Sequence, residues 1–182
     1  MKMEKAAGPG FESRRARLFF DPVFFTKYIT FERENLMVLN MGDYLKYKEY
    51  RVAEDRRYAK THEWIKMVED DYALIGISDY AQKKLRDIVM IEEPEFRRYS
   101  KGERITVIES IKSVGDVYAP VDCIVVAWNE NLLDNPALIS EDPYGDGWIV
   151  RVKVEDKAQI EDLLTPKEYL ELIKEEESGS RI

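Results

Sequence analysis

No apolar run in this chain is longer than a β-strand, and that limits what it can fold into. The longest are of the kind seen at Cys123–Trp128, bounded by Asp122 and Asn129. A membrane-spanning helix needs about 20 consecutive apolar residues, and the sequence holds no such stretch. Short apolar segments separated by turns predict a domain built from many short strands. With 45% apolar and 12% aromatic residues over 182 positions, there is material for one real core.

From Tyr58 the elements can be read in order. Trp64–Val68 and Ala73–Ile77 read as strands joined by a hairpin at Glu69-Asp70-Asp71. Ser78 suits the N-cap of a short helix over Asp79–Leu85. Ile88–Ile91 reads as a buried strand stopped by Glu92-Glu93-Pro94. Ile105–Glu109 and Val117–Ala119 flank a tight turn, Val121–Trp128 is a further strand, and Asn129–Leu138 is a Pro-punctuated loop or helical turn. Trp148, Val150, Val152 and Val154 alternate on one face of a half-buried strand. Thr165, Pro166 and Glu168 form a capping box that opens a C-terminal helix with Tyr169, Leu170 and Ile173 as its apolar face. Ser178–Ile182 reads as a frayed tail. The sum predicts an α+β, mainly β fold, a barrel-sandwich with a short internal helix and a C-terminal helix.

Charge divides the chain. Residues 1–50 hold nine basic and seven acidic side chains, against 19 and 29 in the remainder. An acidic domain repels phosphate backbones, which argues against nucleic-acid binding. A single cysteine, Cys123, permits no intrachain disulfide, and a single histidine, His62, is too few for a zinc site or a His-based triad. The expectation is therefore a chain with no metal, no membrane span and none of the familiar hydrolytic machinery, in a reducing, cytoplasmic setting. Residues 1–50 read as an N-terminal extension, a leader or a mis-assigned start. Residues 51–182 read as the functional domain.

One lysine stands out by its neighbours. In Glu109-Ser110-Ile111-Lys112-Ser113-Val114-Gly115-Asp116 it lies at a turn between two strand segments. A lysine at a turn is ordinarily a solvated charge. A loop tip held by two rigid strands is also where a modifying enzyme can grip a side chain, and only a primary amine can form an amide with a carboxylic cofactor.

Glu109-Ser110-Ile111-Lys112 followed by Asp116 and Pro120 resembles the glycine-cleavage H-protein family. Four further segments resemble it in the same order: Tyr58 to Trp64 (with Thr61-His62-Glu63), Gly76 to Gln82, Asp142 to Trp148, and Leu163-Leu164 with Glu168-Tyr169. The likeness covers about residues 57–174, and it implies a lipoyl/biotinyl-type domain. It further implies a non-enzymatic carrier with lipoic acid on Lys112 as a swinging arm. Such an arm shuttles an aminomethyl group from glycine decarboxylase to aminomethyltransferase and is reoxidised by dihydrolipoamide dehydrogenase. The same resemblance makes Glu109 a recognition residue for the lipoate-attaching enzyme, and Thr61, Glu63 and Asp116 the lining of a cleft for the loaded arm.

Three family glycines are absent: Arg86 stands at one, the turn around Phe96-Arg97 has lost another, and Cys123 replaces the third. Glycine at turns permits positive φ or close backbone approach, so these turns are either rebuilt or strained. Because lipoate-attaching enzymes of the family read the second turn, an alternative stays open: an H-like lipoate-binding protein carrying sulfur in a heterodisulfide-reductase-like oxidation pathway. A lipoyl relay or storage role is a third reading.

Overall fold

A computed structural model describes residues 44–179. Eleven short strands and five helices are assigned among them. Strands β1 (Tyr44–Tyr47) and β2 (Tyr50–Ala53) pair as an antiparallel hairpin. A six-stranded sheet takes β3 (Arg57–Tyr58), β4 (Glu63–Met67), β5 (Tyr72–Ile77), β11 (Val150–Val154), β10 (Cys123–Trp128) and β7 (Arg98–Tyr99) in that spatial order. A three-stranded sheet runs β6 (Ile88–Ile91), β8 (Arg104–Ser110), β9 (Val114–Tyr118). The helices are α1 (Asp79–Leu85), α2 (Asn131–Asp134), α3 (Leu138–Glu141), α4 (Ala158–Glu161) and α5 (Pro166–Gly179).

Local sequence explains these elements. In β11 the alternation of Val150, Val152 and Val154 puts all three into the core, buried to 4% exposure or less. Ser78 caps α1, its Oγ accepting from the Ala81 N–H at 3.2 Å. The predicted box at α5 is present: the Glu168 carboxylate accepts from the Thr165 N–H at 2.8 Å, and the Thr165 hydroxyl accepts from the Glu168 N–H at 3.3 Å. The helix runs on through Gly179, so Ser178 is helical rather than frayed. Residues 180–182 lie outside the described part.

Ile65, Ile75, Ile108, Val117, Val125 and Val152 belong to one apolar core drawn from both sheets. A second, aromatic core gathers Tyr50, Val52, Tyr58, Trp64, Tyr144, Tyr169 and Ile173. Tyr58 and Tyr169 stack at 4.3 Å with their planes 2° apart. Beside them Tyr58 and Leu164 exchange two backbone hydrogen bonds of 2.9 Å, which joins β3 to the entry of α5.

The β1–β2 hairpin spans residue 50, where the sequence suggests a division. Tyr50, Val52 and Ala53 are buried in the aromatic core. The expectations for residues 1–43 lie outside the described residues.

Candidate functional site

The turn between β8 and β9 is Ile111-Lys112-Ser113, tighter than expected, because β9 begins at Val114 rather than Val117. Two serines close it. The Ser110 N–H donates to the Ser113 carbonyl at 2.8 Å, and the Ser113 N–H donates to Ser110 Oγ at 3.0 Å. None of its residues adopts a positive φ. From outside, the Ile111 N–H donates to the Asp87 carbonyl at 3.1 Å, tying the turn to the segment after α1. Lys112 is exposed at this pinned tip, and its ammonium makes no hydrogen bond or ion pair among the described residues. Glu109 is half-buried on β8, in register with Met90 on one side and Val114 on the other.

Beside the hairpin lies a cleft of about 560 Å³, with Thr61, His62, Tyr80, Leu85, Asp116 and Glu176 among its lining. Leu85 seats against Gly115: a Cβ there would lie 2.9 Å from Leu85 Cδ2, so the glycine admits the helix to the strand. Asp116 is exposed and accepts from Tyr118 Oη at 3.0 Å and from Arg104 at 3.3 Å. His62 holds a φ of 79° and sits between ring systems, its Nδ1 3.0 Å from the Tyr169 hydroxyl, which lies 2.6 Å from Ser78 Oγ. Burial lowers the His62 pKa, partly countered by Glu176, so the imidazole is held towards its neutral form.

Thr61 and Asp116 line this depression, and Glu63 does not. It is 1% exposed, and its carboxylate accepts the Tyr118 N–H at 2.9 Å and the Thr61 hydroxyl. Burial raises its pKa, and the hydrogen bonds from Thr61 and Tyr118 pull the other way. Glu63 thus supports the wall from behind, orienting Thr61 and the Asp116–Tyr118 strand. The apolar residues Tyr80 and Leu85 and the α5 residue Glu176 were not foreseen. Nothing local in the sequence marks them, because the cleft forms only when α1 and the end of α5 meet.

The three missing glycines behave differently. Arg86 has φ 55° and ψ 169°, and Asp87 after it has φ 27°, so a glycine-type turn is kept without glycine. Cys123 is an ordinary strand residue, buried and paired with Val154 and Tyr99. Around Phe96-Arg97 no positive φ occurs; the turn is braced by Arg97, which reaches Glu95 and Glu103 at 2.8 and 2.7 Å. Among the described residues no group of His, Cys, Asp and Glu could hold a metal ion, and no helix is long and apolar enough to cross a membrane.

Two sheets with an exposed lysine at a hairpin tip define a lipoyl-type barrel-sandwich domain. The glycine cleavage H-protein family matches residues 56–176, and the chain belongs to that family. A probable glycine cleavage system H protein of Aeropyrum pernix is 48% identical over 126 residues, 69% of this chain and 87% of that protein. The glycine cleavage system H protein of Halothermothrix orenii is 47% identical over 127 residues, 69% and 98% of the two chains. The crystal structure of a glycine cleavage system H protein from Mycobacterium marinum superposes with a TM-score of 0.59 at 35% identity, covering 65% of this chain and 95% of that one. Residues 44–53, the β1–β2 hairpin, precede the matched span.

Proposed function

We propose that this protein is the lipoyl carrier of a glycine cleavage system, a non-catalytic cytoplasmic subunit. It serves glycine decarboxylase, aminomethyltransferase and dihydrolipoamide dehydrogenase in turn, after a lipoate-attaching enzyme has acylated Lys112. Bound there as an amide, lipoic acid supplies a dithiolane whose opened sulfurs take up and release an aminomethyl group. The residues present fit that cofactor. A primary amine stands free at a tip pinned by Ser110, Ser113 and Asp87, which is the observation that carries the reading.

The chain's own part is position and shelter. The pinned turn presents one geometry to an acylating enzyme, which avoids the entropic cost of ordering it on contact. Glu109, three residues before the lysine, offers that enzyme a carboxylate on the same hairpin. In the cleft, Tyr80 and Leu85 exclude water while Asp116 and Glu176 place negative charge where a cationic amine would rest. A neutral His62 adds no repulsion to that amine.

Peptide mapping of protein from its native host tests the first step. One lipoyl amide is expected on the peptide containing Lys112, and none in Lys112→Arg. Lipoate on another lysine, or on none, refutes the assignment. Incubation of the lipoylated protein with glycine and its own decarboxylase tests the second step. A lipoylated protein that fails to take up the aminomethyl group would transfer the reading to the sulfur-carrying alternative.

A further inference from the structure

The last turn of α5 brings Glu175, Glu176 and Glu177 together and has no basic residue. Carboxylates at this end of a helix face the negative pole of its dipole, and Ser178 and Gly179 after them are weak helix formers. Left to itself, such a turn frays. Yet Glu176 and Gly179 line the cleft, and Glu176 Oε2 lies 3.5 Å from His62 Nε2. Whatever holds the turn therefore holds a wall of the cleft.

The hold comes from outside the helix. The Glu177 carboxylate, 15% exposed, accepts from Lys84 of α1 at 2.5 Å, from Lys48 at 3.3 Å and from the Tyr50 hydroxyl at 3.3 Å. Two of those three donors belong to the β1–β2 hairpin, and its Tyr47 ring meets the Lys174 ammonium at 5.8 Å. The hairpin is itself fixed to the core through Arg51. The Arg51 N–H donates to the buried Asp79 carboxylate at 2.9 Å, and its carbonyl accepts from the Tyr144 hydroxyl at 2.7 Å. Consecutive residues of a helix point about 100° apart, so a fixed Glu177 turns Glu176 towards His62. Both the hairpin and Glu177 lie outside the span 56–176 that the family matches.

We propose that the β1–β2 hairpin is a clasp for the last turn of α5, with Lys48 and Tyr50 as positioning residues that act through Glu177 to keep Glu176 in the cleft. The consequence for a cationic arm rests on the lipoyl-carrier reading above; the clasp itself does not.

Amide hydrogen exchange of the full, unlipoylated chain tests the clasp. Lys48→Gln combined with Tyr50→Phe removes the charge and the hydroxyl and leaves both side chains close to their original size. Exchange at residues 175–179 should quicken about five-fold while the amides of β11 keep their rate. Lys48→Arg, which keeps the charge, should match the parent. Unchanged exchange at 175–179, or an equal quickening in β11, would overturn the clasp. A second readout ties it to Glu176. In the lipoylated, amine-loaded protein the same pair of changes should speed loss of methylamine about three-fold, and should add nothing to the effect of Glu176→Gln. A parent-like rate, or effects that multiply, would overturn the positioning role. A chain that intact mass shows to carry no lipoyl adduct on Lys112 overturns the carrier reading instead, and the exchange rates then decide the clasp.

Discussion

Replacing Arg86 by glycine should stabilise the protein, although arginine makes the longer side chain. The residue closes α1 with φ 55° and ψ 169°, where a Cβ crowds the backbone. Holding a non-glycine residue in such a region costs about 1–3 kcal/mol. Glycine removes that strain and adds about 0.5–1 kcal/mol of unfolded-state entropy to be overcome. The Arg86 N–H, which donates to the Gln82 carbonyl at 2.9 Å, is kept in the variant, and the exposed guanidinium makes no hydrogen bond or ion pair among the described residues. The net gain is about 1 kcal/mol, or about 3 °C in melting temperature for a chain of this size. Guanidinium chloride unfolding measures it, read as an upward shift of the midpoint at constant m. Arg86→Ala is the control: it removes the same side chain beyond Cβ but keeps the crowding, and should gain nothing. Equal midpoints for the glycine and alanine variants would refute the strain argument.

Other outcomes follow from buried charge and from the added hairpin. The folded protein binds the Glu63 proton more tightly than the unfolded chain does, because burial raises that pKa above 4.5. Stability should therefore fall as pH rises from 4.5 towards the raised value, and Glu63→Gln should remove that part of the slope in unfolding curves taken across the range. In the lipoylated, amine-loaded protein, Asp116→Asn should speed loss of the methylamine by about 1–2 kcal/mol of barrier, since an amide cannot pair a cation. Glu63→Gln should do much less, and a larger effect at Glu63 would show that it reaches the arm. A chain starting at residue 54 should lose at least about 3 kcal/mol, read by chemical denaturation, for the buried Tyr50 and Val52 it lacks.

How much of this was readable in the sequence depended on how local the cause was. Capping is local, so Ser78 before α1 and Thr165 with Glu168 before α5 were visible at once. The alternation in β11 was equally plain, as each inward valine sits two residues from the next. The β1–β2 hairpin was missed because its turn uses Lys48 at φ 53°, where glycine or asparagine would have signalled it. β3 and β7 have two residues each, too few to carry a period. At the site, the Lys112 turn was legible as a motif, and Asp116 lines the depression beside it. The sequence places Glu63 in the cleft lining and does not show its burial, because the group that satisfies it, the Tyr118 N–H, lies 55 residues away. The Arg86 turn was foreseen as one needing glycine, and the structure keeps its conformation while the Cys123 position needs none.

The joining of Tyr58 to Leu164 and the seating of Tyr169 on Ser78 also set an order for synthesis. The cap of α1 leaves the ribosome 91 residues before the tyrosine whose hydroxyl meets it. At about 5–20 residues per second, that interval lasts several seconds. Through it β3 has no partner at Leu164, and the aromatic core lacks Tyr169 and Ile173. The hairpin that presents Lys112 is complete once β9 has emerged, well before the wall that α5 lends to the cleft. On the proposed carrier function, a chain stalled in the interval would therefore display its lysine to an acylating enzyme while having no shelter to offer the arm.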